Sequence, residues 1–206
     1  MNIGIIGSGN IGATTARLFA GAGHEVAVSN ARGPATLEPL VEEIGPQARA
    51  ATVEEAAAFG EVMLVAIPFF AYETLPADQL AGKIVVDAMN YYEGRDGQMD
   101  FGGLTSSELL ARGLLEARVV KAFNTMYYET LATGGRPSGN SRLVLFVTGD
   151  DAEAKRIVSQ LIEQIGFTPV DTGSLGEGGR RQQPGSPLYN APMDEEQARE
   201  ALARMG

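Results

Sequence analysis

Cysteine and tryptophan are absent from this sequence, and histidine occurs once in 206 residues. Without thiols there is no disulfide framework, no thiolate metal site and no cysteine nucleophile. A single imidazole, His24, cannot build a histidine metal cluster and is the one candidate for imidazole acid/base chemistry, so no metal site is expected. Positive charge is scarce as well: 16 Lys and Arg stand against 26 Asp and Glu, a formal net charge of −10. A field of that sign repels nucleic acid and anionic membrane surfaces, so any anionic small molecule must be met by a local site. Long hydrophobic runs are missing too. The longest, Val62 to Tyr72, is too short to span a bilayer and contains Pro68. The opening Met1-Asn2-Ile3-Gly4-Ile5-Ile6-Gly7 goes straight into a strand with no basic leader region, which makes cytoplasmic residence the default expectation. With 44% hydrophobic residues, the chain has the material for one well-formed core.

What is present alternates. Apolar runs at Met1–Gly7, Glu25–Asn30, Ala48–Thr52, Glu61–Pro68, Lys83–Asn90, Arg118–Asn124, Arg142–Thr148 and Phe167–Asp171 read as strands, most of them continuous, as expected when both faces are covered by helices. Between them, Thr52-Val53-Glu54-Glu55 and Thr105-Ser106-Ser107-Glu108 have the form of capping boxes. Asp151–Ile165 places Ala154, Ile157, Val158, Leu161, Ile162 and Ile165 on one helical face, with Gly166 set to end it. This pattern predicts a doubly wound, Rossmann-type α/β fold with a mostly parallel sheet. The expected division is a dinucleotide-binding part over residues 1–124 and a small C-terminal part over 125–206. Within the latter, Gly173–Pro192 is rich in Gly and Pro and shows no apolar period, which predicts either a loop that closes over a site or a disordered surface loop. Asp194–Met205 then resumes as a helix with Ala198, Ala201, Leu202 and Met205 on one face.

Gly7-Ser8-Gly9-Asn10-Ile11-Gly12 is a G-x-G-x-x-G that follows a strand and opens a helix. In that context Gly7 permits the tight turn, Gly9 lets a pyrophosphate approach the backbone, and Gly12 lets helix and strand pack closely. An NAD site normally places an acid at the end of the second strand. Here that strand ends Val28-Ser29-Asn30-Ala31-Arg32, with no acid before Glu38. Ser29 and Asn30 can donate to a 2′-phosphate and Arg32 can form charge-assisted bonds to it, so NADP(H) is the expected dinucleotide. Ile67 and Pro68, at the end of a neighbouring strand, are expected beside it.

Three strand ends carry unusual residues: Ile67-Pro68-Phe69-Phe70, Asp87-Ala88-Met89-Asn90-Tyr91-Tyr92 and Lys121-Ala122-Phe123-Asn124-Thr125-Met126-Tyr127. Flat apolar walls with a few amide and hydroxyl edges suit a planar ring better than a small hydroxy acid, which calls for an arginine clamp. Oxidising an alcohol requires a proton acceptor, commonly His or Lys. His24 precedes the second strand, at the amino end of the sheet and away from such a site, and Lys121 sits in a buried strand where pairing is as natural as basicity. Hydride exchange between two cofactor-like rings avoids that requirement, and no residue is expected to act as a covalent nucleophile.

The segments Gly7–Gly12, Ser29-Asn30-Ala31-Arg32-Gly33-Pro34, Asp87–Tyr92, Val120-Lys121-Ala122-Phe123-Asn124-Thr125 and Pro184-Gly185-Ser186-Pro187-Leu188-Tyr189 together resemble the NADP oxidoreductases dependent on coenzyme F-420, the 8-hydroxy-5-deazaflavin carrier, and their bacterial dinucleotide-binding homologues. The resemblance implies hydride exchange between NADPH and a deazaflavin or flavin stacked in a cleft, in a homodimer. Where the archaeal members carry a histidine, this chain has Asn124, a pattern also similar to the cytosolic oxidoreductase domain of the STEAP metalloreductases. On this reading the acceptor lies against Phe69, Met89, Asn90, Asn124 and Met126, with Pro187, Leu188 and Tyr189 closing over it. Two other readings stay open. One is an NADP(H)-binding sensor or partner subunit without turnover. The other is a small imine or hydroxy-acid reductase, although such enzymes add a large helical substrate domain and only about 80 residues follow Asn124.

Overall fold

The computed structural model describes residues 1–136 and 142–205. Among these residues eight strands, β1 (Asn2–Ile6), β2 (Glu25–Ser29), β3 (Ala48–Ala51), β4 (Val62–Val65), β5 (Ile84–Asp87), β6 (Arg118–Lys121), β7 (Val144–Gly149) and β8 (Thr168–Asp171), form one sheet in the order β3-β2-β1-β4-β5-β6-β7-β8. The first six run parallel. The seventh turns back antiparallel to β6, with Val120 opposite Gly149 and Lys121 opposite Thr148, and β8 is parallel to β7. The residues after 124 therefore extend the same sheet.

Helices cover both faces. They are α1 (Asn10–Gly21), α2 (Glu38–Ile44), α3 (Val53–Phe59), α4 (Ala77–Leu80), α5 (Glu93–Asp96), α6 (Ser106–Gly113), α7 (Tyr128–Gly134), α8 (Ala152–Gln164), α9 (Leu175–Gln182) and α10 (Glu195–Arg204), with 3-10 turns at Pro34–Leu37 and Phe69–Thr74. Among the described residues none is long and apolar enough to cross a membrane. Strand residues alternate between two cores. Leu64, Val86 and Val120 pack with Phe19, Val158 and Leu161 on one side, while Met63, Val65, Val85 and Val119 pack with Leu80, Leu110 and Leu114 on the other. This is the Rossmann-type doubly wound arrangement that the continuous apolar runs predict, because a strand buried on both faces has no polar side to show.

Both predicted capping boxes form, at Thr52 and Thr105, with hydroxyl and carboxylate each taking an N–H of the helix entry. All eight predicted strands are present, and several stop early: β4 ends at Val65, β5 at Asp87 and β6 at Lys121. The residues beyond those points leave the ladder and turn into the mouth of the sheet. The Gly173–Pro192 expectation needs correction, since Leu175–Gln182 is helical, capped by Ser174, whose hydroxyl accepts from the Glu177 N–H. Its apolar period is absent because the buried face is made of Leu175, Gly178, Gly179 and Gln182. A Cβ on Gly178 would lie 1.9 Å from the Thr148 hydroxyl oxygen, so α9 sits against the sheet at a distance that only glycine allows.

Candidate functional site

Strand order reverses at β1, which has β2 on one side and β4 on the other. In a doubly wound sheet the crevice opens beyond the carboxyl ends of the strands at that point. A cleft of about 460 Å³ lies there, lined among others by Gly9, Asn10 and Ile11 after β1, Ala66, Ile67 and Pro68 after β4, and Ala88, Met89 and Asn90 after β5. Asn124 and Met126 after β6, Tyr127 and Tyr128 at the start of α7, and Tyr189 and Asn190 from the closing segment complete it.

The glycines of the first turn do three different things. Gly7 has φ 109°, and a Cβ there would lie 2.3 Å from the Ala66 carbonyl oxygen. A Cβ on Gly12 would fall 1.8 Å from the Gly7 carbonyl oxygen, so α1 and β1 pack with no room between them. Gly9 has no atom within 4 Å of its Cβ position and faces the cleft. No side chain caps α1 and no acid stands in its first turn, whereas α3, α6, α8, α9 and α10 are each capped by their own side chains. The amino end of α1 thus presents N–H groups and partial positive charge toward the cleft.

At the end of β2 the amide of Asn30 donates to the Ser8 hydroxyl at 2.9 Å and to the Thr36 hydroxyl at 3.0 Å, and its Oδ1 accepts from the Arg32 N–H at 2.9 Å. Asn30 so ties the glycine turn to the loop that carries Arg32, whose exposed guanidinium has no side-chain partner among the described residues. Thr36, which sequence reasoning passed over, belongs to this group. Ser29 does not. It is fully buried and its hydroxyl donates to the Ile5 carbonyl at 2.9 Å, which corrects its expected place on a phosphate. It is the last residue of β2, still paired with β1 and β3 on either side, in a strand whose residues from Val26 on are all buried.

Three further expectations are corrected. Phe69 is fully buried, stacked on Tyr72 at 4.9 Å and edge-on to Tyr91 at 6.3 Å, so it sits behind the wall and outside the lining of the cleft. Leu188 is fully buried with Val144, Phe146 and Ala198, anchoring the closing segment beneath α10, and Pro187 is exposed outside the lining set. At both places a chain neighbour, Pro68 or Tyr189, lines the cleft instead, and period alone does not say which residue of such a segment faces the site.

Met89, Asn90, Asn124, Met126 and Tyr189 do come together. Asn90 and Asn124 are joined reciprocally: the Asn90 amide donates to the Asn124 carbonyl at 2.8 Å, and the Asn124 amide donates to Asn90 Oδ1 at 3.0 Å and to the Gln182 carbonyl at 2.8 Å. Phe123 holds a left-handed φ of 66° immediately before Asn124. Its ring, 1% exposed and edge-on to Phe19 at 5.9 Å, stays in the core while the next side chain swings to the cleft. Such a conformation costs roughly 1–3 kcal/mol in a residue with a Cβ and survives only where packing over-determines it.

Beneath the floor, Lys121 is 1% exposed, with Nζ 3.0 Å from Asp87 Oδ2 and 3.0 Å from the Met89 carbonyl oxygen. Ser107 donates to the same carboxylate oxygen at 2.6 Å, and Asp87 Oδ1 accepts from the Met89 N–H at 3.0 Å. The buried pair therefore clamps both ends of the Met89 residue that lines the cleft and has no opening toward it.

The rim is aromatic. The hydroxyls of Tyr92 and Tyr189 are hydrogen-bonded to each other, linking the segment after β5 to the closing segment. Burial, and then this bond, push the Tyr92 phenol well above the usual range, so it stays protonated. Arg95 donates to both Asp96 oxygens at 2.8 Å and to the Asn90 carbonyl at 2.6 Å. Burial opposes ionisation of Asp96, but bonds from Arg95 and the Tyr92 N–H outweigh it and hold the carboxyl below its ordinary value. Tyr92, Arg95, Tyr127, Tyr128 and Asn190 were not singled out as site residues. The paired tyrosines at 91–92 and 127–128 were the available signal.

His24 is buried at the amino end of the sheet, its Nε2 2.9 Å from Gln164 Oε1 and its ring edge-on to Phe19. It takes no part in the cleft, as its place before β2 predicts.

Comparison with known proteins agrees with this architecture. The chain is 33% identical to the hypothetical protein SMa0349 of Sinorhizobium meliloti, covering 95% of both chains with a TM-score of 0.84. It is 29% identical to a candidate F420-dependent NADP reductase of Arthrobacter sp. FB24, covering 87% of this chain and 88% of that one with a TM-score of 0.74. It is 38% identical over 177 residues to metalloreductase STEAP3 of Rattus norvegicus, a match that takes in 84% of this chain but only 34% of that protein. The glycine turn, the β2 end and the first two walls of the cleft all lie within residues 2–91, the part matched by the model of a known family. Over that segment the chain matches the model of the coenzyme F420-dependent NADP oxidoreductase family.

Proposed function

We propose that this protein is an NADP(H)-dependent oxidoreductase that passes hydride between NADPH and a planar redox acceptor of the deazaflavin or flavin class. The observation that carries the reading is a single cleft in which the uncapped amino end of α1 and the open Cβ position of Gly9 meet walls made of Ile67, Pro68, Met89 and Met126. The volume, about 460 Å³, is of the size that ring-bearing ligands occupy.

The residues fit the dinucleotide. Gly7–Gly12 would cradle its pyrophosphate, and Ser8, Thr36 and Arg32, arranged by Asn30, would meet a 2′-phosphate with neutral donors and one cation, where a carboxylate would repel it. When bound, NADPH supplies the hydride from its reduced nicotinamide. The protein's own contribution is orientation and exclusion of water. Met89 is held rigid by Asp87 and Lys121, Asn90 and Asn124 fix each other, and the Tyr92–Tyr189 contact draws the closing segment over the mouth. The lining side chains are apolar, amide or phenol apart from Arg95, which is held by Asp96 and the Asn90 carbonyl, so no cationic clamp is left for a small hydroxy acid.

The test is to mix the protein and NADPH with coenzyme F-420, FMN, FAD and a quinone in turn and follow loss of the reduced-cofactor absorbance. Turnover is expected with the deazaflavin or a flavin. Tight NADPH binding with no turnover above buffer for any acceptor would overturn the enzymatic reading in favour of a binding subunit.

A further inference from the structure

We propose that Oδ1 of Asn124 is the point at which the cleft recognises an amide-type N–H of a bound ring, either the carboxamide of the nicotinamide or the imide of the acceptor. The inference rests on the function proposed above and adds to it the atom and the polarity of the contact.

Asparagine presents a donor end and an acceptor end that differ only in which atom is nitrogen, so the network must decide its orientation. Here two backbone carbonyls decide it. The Gln182 carbonyl oxygen can only accept, and the Asn124 nitrogen 2.8 Å from it must therefore be the amide. The Asn124 backbone carbonyl can likewise only accept, so Asn90 turns its amide to it at 2.8 Å and its own Oδ1 to Asn124 Nδ2 at 3.0 Å. Both hydrogens of the Asn124 amide are then committed. Its Oδ1 is buried and has no hydrogen-bond partner, on a residue that is 4% exposed and lines the cleft.

A buried carbonyl-type oxygen left without a donor costs stability, and native structures leave few of them. This one is held in place by a left-handed Phe123 and by hydrogen bonds to Asn90, beyond β5, and to Gln182 at the end of α9, so it cannot easily turn to find a partner. Its complement must donate. A phosphate or carboxylate placed there would meet lone pair with lone pair and be repelled, whereas the N–H of a carboxamide or ring imide supplies what is missing. The same atom thus selects against an anionic small substrate and for the amide edge of a redox ring.

The two sources separate on the ligand side with the unaltered protein. Calorimetric titration compares NADPH with its acetylpyridine analogue, in which a methyl replaces the carboxamide NH2, and FMN with its N3-methyl derivative, which lacks the imide hydrogen. Loss of a partner for a buried acceptor is expected to weaken binding about ten-fold in one of the two pairs. In Asn124→Leu, with a melting curve to verify folding, that discrimination should shrink to within about two-fold. Weakening in the first pair assigns the atom to the nicotinamide, and in the second to the acceptor. If NADPH binds and neither pair is told apart, the inference is overturned while the proposed function stands. If NADPH itself does not bind, the proposed function falls and takes the inference with it.

Discussion

At the scale of single residues, the proposed preference for NADPH rests on what stands after β2. Asn30 is already engaged with Ser8, Thr36 and the Arg32 N–H, so it shapes the loop, and the exposed Arg32 guanidinium is the charge that, on the proposed function, would meet a 2′-phosphate. Arg32→Ala is expected to weaken NADPH by roughly 1.5–3 kcal/mol, the range of charge-assisted hydrogen bonds, while NADH binding changes little. Titration of both dinucleotides checks this, and equal losses would refute it. Residue type and spacing made Arg32 legible, because the missing acid is a property of the sequence. They could not distinguish Ser29, which turns its hydroxyl to the Ile5 carbonyl, from a ligand-facing serine, since that depends on which side of a strand end meets solvent. Phe123 was illegible for a related reason: a left-handed Phe is disfavoured by local sterics and exists only because Phe19 and the core hold it.

Among the elements, α9 is the instructive case. Glycines lower helix propensity and hide the apolar period, so a sequence reading sees a loop. The packing sees something else, because α9 lies so close to β7 that Thr148, whose hydroxyl is 2.7 Å from the Gly173 carbonyl oxygen and 2.8 Å from that of Ser174, occupies the space of a side chain at 178. Gly178→Ala would raise intrinsic helix propensity by about 1 kcal/mol, yet here it is expected to destabilise by about 1–3 kcal/mol through overpacking. Gly21→Ala, at an open position at the end of α1, should carry no such penalty. Chemical denaturation of the two variants side by side measures the difference. A Gly178→Ala protein as stable as its parent would mean that the close approach of α9 is wrong. The short strands make the same point from the other side: β4, β5 and β6 end early so that Ala66–Pro68, Ala88–Asn90 and Asn124 can leave the sheet and face one cleft.

For the molecule as a whole, the lone histidine offers a probe of global stability far from the cleft. Burial lowers the His24 pKa below its ordinary 6.5, with the Gln164 bond only partly opposing it. Its Nδ1 is buried without a partner, so a proton there would have no acceptor. The folded state then binds fewer protons than the unfolded chain near that value. The stability contributed is complete above 6.5 and is lost as pH falls through it toward the folded pKa. Melting temperatures at about pH 7.5 and about pH 5.5 should show a drop in the parent that shrinks in His24→Phe, and an undiminished drop would place the effect elsewhere. The sequence by itself determined the alternation of strands and helices, the glycine turn, the absence of an acid after β2 and the remoteness of His24. Each of these is local: propensity, period and the steric freedom of glycine act within a few residues. Only the tertiary structure decided which strand-end residues face the cleft, that the Met89 backbone is clamped by a buried Asp87–Lys121 pair, that α9 is a helix, and that Asn124 keeps one oxygen without a donor. Those outcomes depend on contacts between residues far apart in the chain, where burial and the need to satisfy polar groups override local preference.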